Sequence, residues 1–459
     1  MNTTKKIMPC LIFVLMAFIQ TPHAHAFCGF YVAKADAKLF NKASQVVYTR
    51  HENKTVISMS NDYEGDLKEF AMVIPVPSVL QRSQINVGER ALFEKIDAYS
   101  APRLVEYFDP DPCYQPNYLE TQSASRRQTV MAKGAVDDRQ ASSFGVHIEA
   151  QYTVGEYDIL ILSAKESDGL ETWLKQNGYK LPKGASKALR PYINQKLKFF
   201  VAKVNLEEQS KSGLSFLRPL QIAFESEKFM LPIRLGTINA KGPQDLLIYI
   251  LTRNGLLEST NYRTIKMPSN MDIPVYVKDD FGTFYKDMFS YQTQKENQRV
   301  IFTEYVWNMG WCDPCAADPL SREELRKLGV FWLSDNPNTR TPNGSRKMIP
   351  RFGGAVPVTV TRLHVRYTKE TFPEDLFFQE TQDNQNFQGR YVLRYPWKGS
   401  ANQCPQAAQY FSHLKNRQEN EAKNLASLTG WDLHDIREKS GMNDPNTYKE
   451  PTWWERLWQ

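Results

Sequence analysis

The chain has 459 residues, of which 41% are hydrophobic and 12% aromatic, and its formal net charge is +6. This composition supports folded cores and excludes an intrinsically disordered chain, which has too little apolar surface to bury. The basic residues are scattered among acidic ones. That pattern argues against a nucleic-acid-binding protein, which concentrates its positive charge in one patch.

The first 26 residues have the pattern of a secretory signal peptide. Lys5 and Lys6 precede an apolar run over 7–19, and Ala24-His25-Ala26 provides a small-x-small cleavage site. The run is shorter than the about 20 residues that a transmembrane helix needs. We therefore expect cleavage after Ala26 and export to the periplasm or the medium, with no transmembrane segment after signal removal. An uncleaved N-terminal anchor is the alternative.

The predicted elements suggest several blocks. Strand patterns are interrupted by short helices without regular β-α-β alternation, which predicts an α+β fold rich in antiparallel sheet, with a helical C-terminal region. The pattern divides the chain into a signal peptide (1–26), an N-terminal α+β block (27–120), a linker or long loop (121–145), a middle α+β block (146–290), a block with a C-x-x-C motif (291–370), and a mostly helical C-terminal region (371–459).

In the first block, the β-rich segments 45–50 and 55–60 predict a hairpin with a four-residue loop. A third strand is predicted over 69–76, where prolines end it. A short helix follows over 91–99 and stops by Ala101, because Pro102 disfavours helical angles in the residue before it.

The later segments of the chain also consist of predicted strands interrupted by short helices. Strands are predicted over 146–154, 157–164, 198–204, 221–224, 246–252, 300–307 and 356–367, and helices over 170–176, 419–428 and 432–439. The tail from residue 451 contains three tryptophans, Trp453, Trp454 and Trp458. Because exposed indoles are unfavourable, we expect the tail to dock on its own domain, with a partner or membrane surface as the alternative.

Four stretches carry a family resemblance. They are "CGFYVAKADAKLFNKASQVV", "KEFAMVIPVP", "DAYSAPRLVEYFDPDPC" and "EYVWNMGWCDPCAADPLS". In this order they resemble the bacterial family catalogued as domain of unknown function 2330 (DUF2330), from Cys28 to about Tyr367. The resemblance implies an exported bacterial protein and implies no activity.

The motif "WCDPC" places Cys312 and Cys315 two residues apart. A redox dithiol needs its first cysteine at a helix N-terminus, which lowers the thiol pKa. A capping box at Ser321 instead starts the next helix nine residues after Cys312, and Asp313 adds a negative charge that raises thiol pKa values. We expect a disulfide-braced loop. A redox pair, half of a metal site and a free thiol pair are the alternatives.

Five cysteines follow the predicted cleavage site, namely Cys28, Cys113, Cys312, Cys315 and Cys404. An odd count leaves at least one unpaired or intermolecular. Cys28 and Cys113 share the first block, which suggests a disulfide between them. Structural zinc needs four ligands, and the histidines lack ligand spacing, so the sequence predicts no metal site and no cofactor.

The segment Asp109-Pro110-Asp111-Pro112 predicts a rigid turn, although its two aspartates are also a candidate carboxylate pair. Tyr107, Phe108 and Tyr114 lie beside it and are candidates for an aromatic pocket, although aromatic side chains usually fill a core.

Catalytic motifs such as G-x-S-x-G, H-E-x-x-H and the phosphate-binding loop are missing. The sequence therefore favours a non-catalytic binding or scaffolding protein of the cell envelope, with an unknown protein or small molecule as ligand. The alternative is an envelope thiol–disulfide oxidoreductase in which Cys312 attacks and Cys315 resolves.

Overall fold

A computed structural model describes residues 30–33, 40–64, 70–114, 146–177, 184–212, 217–238, 240, 242–311, 313, 317–333 and 356–442. The predicted signal peptide, the linker over 121–145, the tryptophan-rich tail, Cys28, Cys312 and Cys315 lie outside these residues. Within them, no helix is both long enough and apolar enough to cross a bilayer.

The strands are numbered along the chain. The first ten are β1 (Phe30–Ala33), β2 (Phe40–His51), β3 (Lys54–Glu64), β4 (Phe70–Val76), β5 (Ile85–Val87), β6 (Arg103–Phe108), β7 (Val146–Val154), β8 (Tyr157–Ala164), β9 (Lys198–Val204) and β10 (Leu220–Glu225). The next ten are β11 (Met230–Leu231), β12 (Gln244–Thr252), β13 (Leu257–Ser259), β14 (Arg263–Lys266), β15 (Met271–Asp272), β16 (Val300–Asn308), β17 (Thr359–Tyr367), β18 (Leu376–Glu380), β19 (Phe387–Gln388) and β20 (Arg390–Tyr395).

The helices are α1 (Arg90–Ser100), α2 (Ser167–Gln176), α3 (Ala185–Asn194), α4 (Leu206–Ser212), α5 (Phe281–Lys295), α6 (Arg322–Lys327), α7 (Pro405–Thr429) and α8 (Leu433–Lys439). Short 3-10 turns occur at Arg82–Gln84, Gly236–Ile238 and Val275–Asp280. The fold is α+β and mostly antiparallel, as the sequence predicts.

The strands form four sheets. A five-stranded antiparallel sheet has the order β1-β4-β9-β8-β7. A central sheet has the order β14-β16-β17-β12-β2-β3-β10-β5, with β19 also paired to β16. Two three-stranded sheets have the orders β11-β18-β13, which is antiparallel, and β15-β20-β6, which is parallel.

The five-stranded sheet packs face to face on the central sheet. The shared core takes buried side chains from both sheets, including Ile57, Ile74, Ile161, Phe200 and Ile248. Alternate residues of β4 and β9, such as Val73 and Phe199, point away from that core and pack against α2 and α3. Strands buried on both faces read as apolar runs, which is why the sequence locates them well.

The other face of the central sheet is covered by helices in two groups. Helices α1 and α6 pack on the middle strands, with Phe93, Ile96 and Leu325 against Tyr249 and Leu251. Helices α5, α7 and α8 form a second core with β16 and β20. The molecule therefore has four layers, in the order helix, sheet, sheet, helix.

One local prediction about the first hairpin is wrong. His51 and Lys54 are paired ends of β2 and β3, so the connection is the two-residue turn Glu52-Asn53 rather than four residues. Glu52 has a φ of 55°, the left-handed conformation that a tight turn imposes. Polar residues at strand ends give no periodic signal, so the pattern alone placed them in the loop.

Candidate functional site

Exposed aromatic side chains lie where strand β6 ends. Phe108 and Tyr114 are each 73% exposed. The ring of Phe108 stacks on Tyr395 of β20 with 4.7 Å between centroids, and the Arg394 guanidinium lies 5.1 Å from the ring centroid of Tyr107. We call Tyr107, Phe108, Tyr114, Arg394 and Tyr395 the β6 surface. In the part of the chain that the structure describes, these rings lie on an exposed surface.

A disulfide fixes the backbone beside this surface. Cys113 is bonded to Cys404, with 5.9 Å between their Cα atoms. The predicted pair of Cys28 with Cys113 is therefore wrong, because Cys113 has a partner 291 residues later in the chain. Cys404 is the N-cap of α7, and Pro405 follows at the first helical position, which favours the start of a helix there.

Asp109 ties β6 to helix α7 through its carboxylate. Its Oδ2 accepts a hydrogen bond from the Tyr410 hydroxyl at 2.6 Å and lies 2.7 Å from Arg417 Nη2. Burial by itself raises the pKa of Asp109, but hydrogen bonds from Arg417 and Tyr410 lower it. The Asp111 carboxylate instead accepts from the backbone N–H of Cys113. The two aspartates thus have separate structural partners, which matches the rigid turn rather than a paired acid and base.

Three carboxylates and two guanidiniums meet between α7 and the parallel sheet. Arg417 bridges Asp109 and Glu421, while Arg394 pairs with Asp272 at 3.1 Å. Burial raises the pKa of Glu421 to about 7, against the lowering effect of Arg417. The Glu421 carboxyl group is thus partly protonated near neutral pH.

A second polar cluster lies under the central sheet and is buried. Glu304 of β16 is fully buried, and its Oε2 accepts a hydrogen bond from Arg362 Nε at 2.7 Å. Its Oε1 lies 2.8 Å from His364 Nδ1 and accepts a hydrogen bond from the Tyr285 hydroxyl. The imidazole of His364 stacks on Phe289 at 3.6 Å between ring centroids.

A β-bulge brings Glu304 into this position. The register of β16 against β17 shifts between Thr303 and Tyr305, so Glu304 has no residue opposite it. Arg362 then extends the cluster toward helix α1, where its Nη1 donates to Asp97 at 2.6 Å. Asp97 also accepts from the Tyr249 hydroxyl at 2.6 Å. The cluster thus joins strands β12, β16 and β17 to α1 and, through Tyr285, to α5.

The electrostatics of this cluster hold its carboxylate ionised. Burial alone raises the pKa of Glu304, but the electrostatic effects of His364 and Arg362 and the hydrogen bonds from His364 and Tyr285 lower it to about 2. Burial and the neighbouring carboxylate raise the pKa of the Tyr285 hydroxyl well above its usual value. Both carboxylate oxygens have partners within the protein, which suits an internal brace and not a site that receives a substrate.

Asp313, which lies within the C-x-x-C motif, bonds to two neighbouring strands. Its Oδ2 accepts hydrogen bonds from the Tyr305 hydroxyl and from Gln388 Nε2, both at 3.0 Å. Trp311 before the motif is 63% exposed. The Asp313 side chain is therefore held by residues of strands β16 and β19.

The helix after this motif begins where the sequence predicts. Ser321 caps α6 through a complete capping box, and the helix starts at Arg322. Cys312 and Cys315 themselves lie outside the described residues. Their predicted disulfide stays a prediction.

Two other features have no site-like geometry. A cleft beside Ile57, Met59 and Phe224 encloses about 30 Å³, the room of about two water molecules. Asp432 and His434 bring potential metal ligands together with Asp435 at the start of α8, but all three are exposed. Exposed acidic groups of this kind are common on protein surfaces.

Sequence reasoning found part of these arrangements. In the sequence, Glu304 is a charged residue within a mostly apolar strand segment, and Tyr107, Phe108 and Tyr114 are aromatic residues beside a predicted rigid turn. Their partners were not visible, because Arg362, Tyr395 and Cys404 come from elements far along the chain.

The fold and these sites define a four-layer α+β protein with an internally paired charged cluster and an exposed, disulfide-braced aromatic surface. The chain belongs to the DUF2330 family, described as an uncharacterized protein conserved in bacteria, whose match covers residues 22–379. This confirms the resemblance seen in the sequence. No curated protein and no solved structure matches the chain significantly.

Proposed function

We propose that this protein is an exported, non-catalytic binding protein of the bacterial cell envelope and that the β6 surface binds its ligand. The exposure of Phe108 and Tyr114, 73% each, beside the Cys113–Cys404 disulfide carries the proposal. Aromatic side chains and arginine are enriched at binding hot spots. A backbone that is already rigid loses less entropy when a partner binds.

Three observations support export. The first 26 residues have the pattern of a signal peptide. The family is bacterial, and a disulfide such as Cys113–Cys404 persists in oxidising compartments rather than in the cytosol. Osmotic-shock fractionation and N-terminal sequencing test the point. We expect the protein in the periplasm or medium, beginning at Phe27, and an uncut cytosolic chain would contradict export.

The buried cluster supports a non-catalytic role. A catalytic carboxylate or histidine must reach its substrate within hydrogen-bond distance. Glu304 is fully buried, His364 is 7% exposed, and Phe289 covers the imidazole. The burial of these groups favours a role in stabilising the fold over a role in catalysis.

Site-specific photocrosslinking tests the binding surface. We would place p-benzoylphenylalanine at position 108, or at the control position 148, because Ile148 is 52% exposed on strand β7 of the five-stranded sheet. We expect one discrete adduct from position 108 in intact cells, weakened by Tyr114→Ser. Identical adducts from both positions, or none from position 108, would contradict the proposal.

The alternative is a thiol–disulfide oxidoreductase that uses Cys312 and Cys315. Helix α6 begins after Ser321, so the helix dipole that activates such thiols lies beyond the motif. We therefore expect equal insulin reduction with dithiothreitol for the wild type and Cys312→Ser. A marked loss of turnover in Cys312→Ser would favour the enzyme.

A further inference from the structure

Strand β6 is an edge strand of the parallel sheet β15-β20-β6. It pairs along its full length with β20, from Arg103 opposite Arg390 to Phe108 opposite Tyr395. Among the residues that the structure describes, no strand pairs with its other edge. An open edge presents a row of unpaired backbone donors and acceptors.

The hydrogen-bond register shows which groups face outward. The N–H of Arg103 donates to Gly389, and the N–H of Asp109 donates to Tyr395, so the odd-numbered residues face β20. Because backbone groups alternate along a strand, those of Leu104, Glu106 and Phe108 point to the open edge. Within the described chain, these three N–H groups have no backbone acceptor.

Strand β6 itself contains no lysine, proline or bulge that would block pairing at this edge. Natural edge strands are commonly blocked by lysine, proline or a bulge, and β6 has the sequence RLVEYF with an unbroken register. Its one acidic residue, Glu106, pairs with Lys278 at 2.8 Å, which offsets the charge. Phe108 stands 73% exposed at the end of the same edge.

We infer that the open edge of β6 binds an extended peptide segment as an added β-strand, with a large apolar side chain of the peptide against Phe108. This inference rests on the proposed binding role and names the partner's chemistry. Strand addition uses backbone hydrogen bonds for affinity and side-chain contacts for specificity. The Asp109-Pro110 turn ends the edge, so the peptide pairs with about six residues, a common strand length.

The backbone pattern favours a peptide over a ligand without a backbone. Leu104, Glu106 and Phe108 present donors and acceptors at every second residue, a spacing of about 6–7 Å that a β-strand reproduces. The only charged side chain among these three is neutralised within the protein, so a partner segment with uncharged side chains fits best.

A pair of substitutions at Glu106 tests the inference. Glu106→Pro removes one outward N–H without removing a bond to β20, and edge strands tolerate proline there. Glu106→Ala removes the same carboxylate but keeps the N–H. The probe is the peptide acetyl-Lys-Thr-Val-Thr-Phe-Thr-Val-Thr-Lys-amide, and its control is the same peptide with alternate N-methylated amides.

We expect the full-length wild type and Glu106→Ala to bind the probe and to protect the amides of 104–108 from hydrogen exchange. Glu106→Pro should bind it about tenfold or more weakly, as should the wild type with the N-methylated peptide, in line with lost backbone hydrogen bonds. Circular dichroism would confirm that both variants are folded.

Equal affinities for Glu106→Pro and Glu106→Ala would overturn the inference, as would absence of binding at millimolar peptide. Concentration-dependent protection of 104–108 without peptide would show a second copy as the occupant and would also overturn it. If photocrosslinking from position 108 succeeds while these amides stay unprotected, only strand addition fails. If photocrosslinking from position 108 fails and the peptide also does not protect these amides, the proposed binding role fails as well.

Discussion

Replacing Glu304 with glutamine tests the buried charged cluster. The change keeps the size of the side chain but removes the charge that faces Arg362, His364 and Tyr285. Hydrogen bonds to a charged group contribute about 1.5–3 kcal/mol each. Glutamine keeps one acceptor, and Asp97 still neutralises Arg362 at 2.6 Å. We therefore expect a loss of about 3–5 kcal/mol in the free energy of unfolding, the range for a broken buried pair.

Urea denaturation monitored by tryptophan fluorescence measures this loss. The control is Glu94→Gln, which removes an exposed ion pair with Arg90 at 3.4 Å on helix α1. An exposed pair is worth less than about 1 kcal/mol. If the two variants lose the same free energy, the cluster does not stabilise the fold and the reasoning is refuted.

Three further predictions concern helix α7 and its attachment. The substitution Glu421→Gln removes a titrating carboxyl group. Burial raises the pKa of Glu421 to about 7, above the ordinary value of 4.5. As the pH rises, the native state therefore keeps this proton to a higher pH than the unfolded chain does. Wild-type stability relative to Glu421→Gln should thus fall by about 1–3 kcal/mol between pH 4.5 and pH 8, as measured by urea melts across that range. The double variant Cys113→Ser/Cys404→Ser should lose about 2–5 kcal/mol in the same assay, and dithiothreitol should lower the stability of the wild type by at least that much. Gly430 caps α7 at a φ of 72°, and an added Cβ would lie 2.5 Å from Tyr291. Gly430→Ala should therefore lower the free energy of unfolding by about 1 kcal/mol or more.

Distinct outcomes would contradict these expectations. If the stability of the wild type relative to Glu421→Gln rose between pH 4.5 and pH 8, the glutamate would be stabilised as an anion. No effect of dithiothreitol on the wild type would mean that the Cys113–Cys404 bond does not stabilise the fold. If Gly430→Ala had the same free energy of unfolding as the wild type, the C-cap would accommodate the added Cβ without a loss of stability.

The accuracy of the sequence predictions follows from the kind of signal each segment carries. Strands β7 and β8 occur at 146–154 and 157–164, and β9 at 198–204, residue for residue as predicted. β9 is buried on both faces and therefore shows as a nearly continuous apolar run, which a single sequence displays directly. Helix α7 runs from Pro405 to Thr429 and contains the predicted segment 419–428. Only Ala407 and Leu414 are buried in its first ten residues, so the apolar pattern marks mainly its second half.

The β6 surface and the charged cluster depend on contacts that no local sequence pattern encodes. Glu304 is a charged residue in a mostly apolar strand, but Arg362 and His364 reach it only through the pairing of β16 with β17. Cys113 was visible as a disulfide candidate, but its partner was not, since cysteine counts do not fix connectivity.

The bond between Cys113 and Cys404 crosses the boundary of the family match, which ends at residue 379. A fragment cut at that boundary would carry an unmatched thiol at Cys113. It would also lack β20, the one strand described beside β6, and so would leave both edges of RLVEYF bare. We therefore expect a fragment that ends at residue 379 to be less stable than the longer chain, so a fragment for expression or crystallisation should extend at least through helix α7 (Pro405–Thr429).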